Sequence, residues 1–331
     1  MNYSLEKQTA IKAVRAAAAL CTEVRTAMVG SGSADTALQK DDKSPVTVAD
    51  FGSQAIVCHY LRQVFPQDTI VAEEDSADLQ KPENAAILAQ VSGYIENAGL
   101  NGDAAAIFEC IDAGKKTLAP RYWTLDPIDG TKGFLRNDQY AIALALVEDG
   151  EIKVAALACP ALPPDADTPD GEAGVLFVAA RGQGASMVAL SGGTETGIKV
   201  STSGDAGARF VESVEAAHGD QSMQEAIARA AGITRPSLRM DSQAKYGAVA
   251  RGDAALYLRL PSPKSPDYRE KIWDHAAGVL VVEEAGGTVT DMHGKPLDFA
   301  GDYKMNNNRG VVVSNGAVHE AVIAALRDHA S

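Results

Sequence analysis

The chain has 331 residues, 46% of them hydrophobic, a formal net charge of −14 and an isoelectric point near 4.9. That length supports a large core, in one large domain or two fused lobes. The acidity argues against a nucleic-acid polymer as partner, which needs a basic stripe to displace counterions, and no apolar run approaches the roughly 20 residues that span a bilayer.

An Ala-rich amphipathic helix is predicted from about Leu5 to Val29. It carries Lys7, Lys12, Arg15 and Arg25, as a cryptic transit peptide would, but Glu6 and Glu23 favour a structural first helix in a cytoplasmic protein. The polar break Gly30 to Ser33 follows. Ser44 to Asp50 then leads into Ile56, Val57, Tyr60, Leu61 and Val64, whose helical spacing runs to Phe65-Pro66 and puts Asp50 on a first turn, where a capping role is the plain reading. Thr69 to Asp75 is a short β-branched run ending in Glu73, Glu74 and Asp75, a strand that delivers a carboxylate from its end. Between Ser76 and Pro120 the pattern is least informative.

A strand from Arg121 to Leu125 enters Asp126-Pro127-Ile128-Asp129-Gly130-Thr131. Pro127 fixes φ, Gly130 permits a shape that a Cβ penalises, and one tight turn would aim both aspartates at one point. Such hard oxygen donors suit magnesium, with the Ile128 carbonyl as a further ligand. Thr131 stands where a helix could begin, offering a hydroxyl and a free N–H to an anion. The plain alternative is an ordinary Asp-Pro/Asp-Gly loop.

Tyr140 to Glu148 and Glu151 to Cys159 are apolar runs joined by Asp149-Gly150, a two-residue hairpin signal, and strands continue through Gly174 to Ala180. From about Val200 the order becomes α/β: strand Ala208 to Ser213, helix Gln221 to Ala231, strand Leu238 to Asp241, helix Lys245 to Ala250 and strand Ala254 to Arg259. A small-residue helix from Gly278 to Ala285 comes next, with Asp274 as its N-terminal acid, then a strand Val311 to Ser314 and a last helix from Val318. Cys21, Cys58, Cys110 and Cys159 have no C-x-x-C spacing and read as buried reduced thiols. No P-loop, complete dinucleotide loop, H-E-x-x-H or G-x-S-x-G is present, which disfavours nucleotide-triphosphate, hydride-transfer and serine-hydrolase chemistry.

Taken in this order, the Asp50, Glu73, Asp126 and Asp274 segments resemble the magnesium-dependent, lithium-sensitive sugar and nucleotide phosphatases of the inositol monophosphatase and fructose-1,6-bisphosphatase type, over nearly the whole chain. DSQAKY (Asp241 to Tyr246), YLRLP (Tyr257 to Pro261), EKIWDHAAG (Glu270 to Gly278) and DPIDGTKGF (Asp126 to Phe134) are most similar to the branch that acts on adenosine bisphosphates. The resemblance implies a layered αβαβα sandwich, α+β then α/β, in two lobes: residues 1–200 carrying most metal ligands and residues 201–331 carrying nucleotide contacts and Asp274. It implies two or three magnesium ions, with Asp126 bridging, Glu73 and the Ile128 carbonyl holding one, and Asp129 with Asp274 holding the second. Thr131 and Asp50 would handle the proton of an attacking water, and Glu74 would orient a second water. Thr131, His218, Ser242, Lys245, Arg259 and Asp274 would contact the substrate. The implied reaction takes 3'-phosphoadenosine 5'-phosphate to AMP and phosphate in a monomeric enzyme of sulfur assimilation, with 3'-phosphoadenosine 5'-phosphosulfate as a further substrate. Alternatives are an inositol polyphosphate 1-phosphatase and a catalytically silent nucleotide or metal sensor.

Overall fold

The longest apolar runs of the sequence become the middle of one sheet. The computed structural model describes residues 3–31, 37–39, 45–164, 173–202, 209–214, 221–262, 265 and 267–329. Helix α1 (Ser4–Ser31) and a small pair of strands, β1 (Ala37–Gln39) and β2 (Pro45–Thr47), lead to α2 (Val48–Val64) and β3 (Thr69–Ala72). After a 3-10 turn (Pro82–Asn84) come α3 (Ala85–Asn97), α4 (Ala104–Ile111), β4 (Gly114–Lys115), β5 (Arg121–Asp129) and the short α5 (Thr131–Leu135). Strands β6 (Ala141–Glu148), β7 (Glu151–Cys159), β8 (Val175–Ala180), β9 (Ala185–Ala189) and β10 (Thr196–Ile198) finish the first sheet. Its order is β10-β9-β8-β7-β6-β5-β3-β4, antiparallel except where β3 lies parallel to β5 and β4.

The second sheet has the order β12-β11-β13-β15-β14, from β11 (Phe210–Glu212), β12 (Leu238–Arg239), β13 (Leu256–Arg259), β14 (Thr288–Thr290) and β15 (Val311–Ser314). Helices α6 (Gln221–Ala230), α7 (Ala244–Ala250), α8 (Ala276–Glu284) and α9 (His319–His329) complete the described fold.

Strand alternation decides the layers. On β6, Ile142, Leu144 and Leu146 join a core with Ala13, Val14 and Ala17 of α1 and Phe51 and Ile56 of α2. The intervening Ala141, Ala143 and Ala145 face the opposite core with Tyr246 of α7 and Leu280 of α8. A third core joins Leu256 and Val312 of the second sheet to Ile227 of α6 and Val322 of α9. The result is the expected αβαβα sandwich.

Asp149 and Gly150 have φ of 50° and 79°, as a two-residue turn between β6 and β7 requires. Helices α3 and α4, absent from the sequence reading, bury only Ile87, Val91 and Ile95, and Ile107 and Ile111, so their stripes are narrow and diluted by alanine. They carry the crossover between β3 and its parallel neighbours. The acid Asp274 closes a 3-10 turn (Ile272–Asp274) instead of starting α8. Cys110 is half-buried, unlike the other three thiols. The predicted strand start at Ala208 lies outside the described residues.

Gly278 sets how closely α8 approaches α7, because a Cβ there would fall 2.3 Å from Cγ of the buried Tyr246. Gly278→Ala is expected to destabilise the fold by about 1–3 kcal/mol, as overpacking does, read as a lower urea midpoint with unchanged m. An unchanged midpoint would mean that Tyr246 has room to move.

Candidate active site

Asp126 and Asp129 belong to one strand, and in a regular strand residues three apart point to opposite faces. A bulge removes the conflict. Asp126 pairs with Ala143 and Asp129 with Ala141, so Pro127 and Ile128 together oppose the single residue Ile142. Both aspartates thereby share the face of Ala141 and Ala143, toward α7 and α8. The expected tight turn is this bulge, and the chain reverses only at Gly130, in the left-handed region at φ 86°. Ser53 Oγ of α2 donates to the Pro127 carbonyl at 2.8 Å and pins the bulge from behind. Glu73 follows β3 two residues after Val71, which packs in the same core as those alanines.

Asp50 has two duties. Its Oδ2 accepts from Thr47 N–H at 2.7 Å and from Thr47 Oγ1 at 2.5 Å, a capping box at the start of α2. Its Oδ1 accepts from Thr131 Oγ1 at 3.3 Å, and that hydroxyl also lies 3.2 Å from the Ile128 carbonyl.

The second sheet and its helices close the site. Ser242, at φ 65°, turns the chain so that Gln243 N–H donates to Asp129 Oδ2 at 2.5 Å. Gln243 Nε2 donates to the Trp273 carbonyl at 2.9 Å, and its Oε1 accepts from Gly278 N–H at 3.1 Å, so one side chain ties Asp129 to the segment that carries Asp274. Arg259 Nε donates to Glu270 Oε1 at 3.1 Å, Glu270 Oε2 lies 3.2 Å from His275 Nε2, and His275 Nδ1 lies 2.7 Å from the Tyr246 hydroxyl. Lys245 is buried, its Nζ 3.3 Å from the Met240 carbonyl and 5.1 Å from the Tyr257 ring centroid.

Glu73, Asp126, Ile128, Asp129, Thr131, Ser242, Lys245, Arg259 and Asp274 all line one cavity of about 250 Å³. Asp50 stands behind Thr131 and outside that wall. Glu74 is buried elsewhere, its backbone bonded to the Gln54 amide, and does not line the cavity. His218 lies outside the described residues.

A profile of the inositol monophosphatase family matches residues 4–331. The chain belongs to the inositol monophosphatase family. Proteins named 3'(2'),5'-bisphosphate nucleotidase are 44% identical in Schizosaccharomyces pombe, over 98% of this chain and 96% of that one, and 42% identical in Emericella nidulans, over 99% of each. The Thermotoga maritima IMPase structure is similar at a TM-score of 0.61 and 23% identity, covering 96% of this chain and 95% of that one. The extragenic suppressor protein suhB of Bartonella henselae reaches 0.65 at 19% identity, covering 98% and 99%. At those identities the two structures support the shared family fold alone.

In this member of the inositol monophosphatase family, burial drives the carboxyl of Asp126 well above the usual carboxylate range, reinforced by Glu73, Asp129, Asp274 and Asp50. Burial also raises Asp274 well above that range, with Glu270 and Asp129 adding to it. Asp129 is raised by burial against the opposing pull of Lys245. Asp126 Oδ1 is buried with no hydrogen-bond partner among the described residues. Crowded carboxylates with an orphaned oxygen are the donor set a divalent metal satisfies. Glu270, Asp274 and His275 also bring one ligand atom each within 4.8 Å of the others. Glu270 is already engaged there: although burial opposes it, Arg259 and His275 hold its carboxyl down at about 2.

Sequence reasoning passed over Gln243, Glu270 and His275. They sit inside the quoted DSQAKY and EKIWDHAAG segments, but nothing in their spacing distinguishes a brace from a ligand.

Linkage gives the sign of a test. Folded values raised above the unfolded value of about 4 leave no penalty below it, and the penalty grows as pH rises through the raised values. In chelator, Asp126→Asn is therefore expected to have a higher Tm than the wild type, by a margin that widens as pH rises above about 4. A margin that is absent or shrinks with pH would remove Asp126 from the buried acidic cluster.

Proposed function

We propose that the chain is a magnesium-dependent phosphatase that removes the 3'-phosphate of 3'-phosphoadenosine 5'-phosphate, giving AMP and phosphate, and accepts 3'-phosphoadenosine 5'-phosphosulfate as a second substrate. The observation that carries this reading is that one cavity is lined both by crowded carboxylates and by three cations, Lys132, Lys245 and Arg259. A molecule with a phosphate to cleave and a second anionic group to hold matches both. The names of the full-length relatives point the same way.

Two or three magnesium ions held by Glu73, Asp126, Asp129, Asp274 and the Ile128 carbonyl would, when bound, neutralise the acids and polarise the water and the phosphoryl oxygens. The chain's own contribution to proton handling is the Thr131–Asp50 pair. Asp50 Oδ2 is committed to Thr47, which leaves Oδ1 to accept the proton of Thr131 Oγ1 as that oxygen takes one from the attacking water. Water adds to phosphorus as the bond to the 3' oxygen breaks, and the departing oxygen takes a proton from solvent to become the 3' hydroxyl of AMP. Lys245, with Arg259 braced by Glu270, holds the second anionic group. Burial, opposed by Asp129, lowers the Lys245 ammonium to about 8, so it is charged at neutral pH. Ser242 and, from its place in the sequence, His218 complete the nucleotide contacts. In this reading residues 1–200 supply most of the metal ligands and the proton pair, while residues 201–331 supply Asp274 and the nucleotide contacts.

Thr131→Val is expected to lower kcat about 10²-fold or more with a much smaller change in substrate binding. A variant that loses binding and keeps its turnover would take the proton role away from Thr131. Lys245→Ala tests the substrate more cleanly than Arg259→Ala, which would also leave Glu270 buried beside one partner fewer. The lost charge-assisted contact of about 1.5–3 kcal/mol predicts a loss in kcat/KM of roughly ten- to a hundredfold for 3'-phosphoadenosine 5'-phosphate. 3'-AMP should be nearly unaffected. Equal losses on both, or inositol 1,4-bisphosphate as the better wild-type substrate, would overturn the nucleotide assignment.

A further inference from the structure

Lys116 lies just past β4, in the stretch where the sequence was least informative. Its Nζ donates to the carbonyl oxygens of Ala72 at 2.6 Å and Glu73 at 2.5 Å, the last residue of β3 and the acid that follows it. The same ammonium sits 4.6 Å from the centroid of the Trp273 ring. Trp273 immediately precedes Asp274 in the 3-10 turn, and its indole lies stacked on Tyr303 at 5.6 Å with an interplanar angle of 6°. One cation thus grips the backbone that presents Glu73 and the ring next to Asp274.

These two acids come from segments far apart in the chain, and no strand pairing relates them. Glu73 stands beyond the end of β3, where the sheet register no longer fixes it. Among the contacts that raise the carboxyl of Asp274, Glu73 is itself one, so the two acids repel across the cavity. An ammonium has donors and no acceptor, so Lys116 can bond carbonyls and lie against an aromatic face but cannot ligate a metal.

We propose that Lys116 is a positioning residue for the metal site: it clamps the end of β3 to Trp273 and thereby sets the spacing of Glu73 and Asp274. This inference rests on the metal reading given above. Groups that orient ligands without touching the ion change metal affinity by about 10–100-fold, and a clamp of this kind belongs among them.

The test is the magnesium dependence of Tm, read without substrate. Lys116→Met keeps the aliphatic stem and removes the charge. It is expected to need about tenfold more magnesium than the wild type for the same rise in Tm above its own value in chelator, with Lys116→Arg close to the wild type. Trp273→Phe keeps a smaller ring and should raise the magnesium needed for the same rise in Tm by a few-fold, which reads the clamp from its other side if Lys116→Met does not fold. Tyr3→Phe removes the hydrogen bond to Glu148 outside the cleft and serves as the control for simple loss of stability. A lower Tm in chelator with a wild-type rise in Tm at each magnesium concentration, in Lys116→Met or in Trp273→Phe, would reduce Lys116 to a structural contact and overturn the proposal. A wild-type protein whose Tm ignores magnesium would overturn the metal reading and this inference with it.

Discussion

A β-strand sends residues three apart to opposite faces, and the site depends on one place where that rule is broken. The bulge across Pro127 and Ile128 returns Asp129 to the side of Asp126. Proline suits the position because it brings no N–H that the ladder would have to satisfy. Once the two aspartates face α7 and α8, the left-handed Gly130 turns the chain and places Thr131 against Asp50. A regular β5 would leave one aspartate among the apolar side chains packed beneath α1 and α2.

The rest of the molecule holds this arrangement against its own repulsion. Asp126 is only 2% exposed, and its neighbours are also acids. Without a metal that crowding opposes folding, and the opposition is offset by three apolar cores and by braces that are neutral or internally paired. Gln243 bolts Asp129 to the Trp273 and Gly278 backbone. The Arg259–Glu270–His275–Tyr246 chain keeps a guanidinium in the cavity with its countercharge already supplied. The cavity therefore contains two kinds of carboxylate, one balanced by the protein and one that is not.

The hairpin of β6 and β7 was legible in the sequence because its apolar runs are long and Asp149-Gly150 marks their turn, while the layer order came from the family resemblance. The convergence of Asp126, Asp129 and Thr131 on one cavity was legible too, since a proline and a glycine set among acids mark a local change of chain direction. The bulge itself was not: a tight turn and a bulged strand can use the same residues, and only the pairing with Ala141 and Ala143 separates them. Helices α3 and α4 escaped because a stripe one residue wide per turn, set among alanines, resembles a loop. Gln243 and Lys116 escaped for a different reason. A brace is defined by what it touches, and its partners lie in other segments of the chain.

In the proposed reading, Asp50 ties helix initiation to reactivity through the two oxygens of one side chain. Selection for abundance and selection for turnover therefore act on the same carboxylate. Asp126 is the opposite case, since its charge serves the site and burdens the folded state. A saturation-mutagenesis map scored for protein level would register Asp50 as intolerant and Asp126 as permissive, while a map scored for growth on activity would mark both. The difference between the two maps would sort the acids of this cleft by whether the fold shares an interest in them.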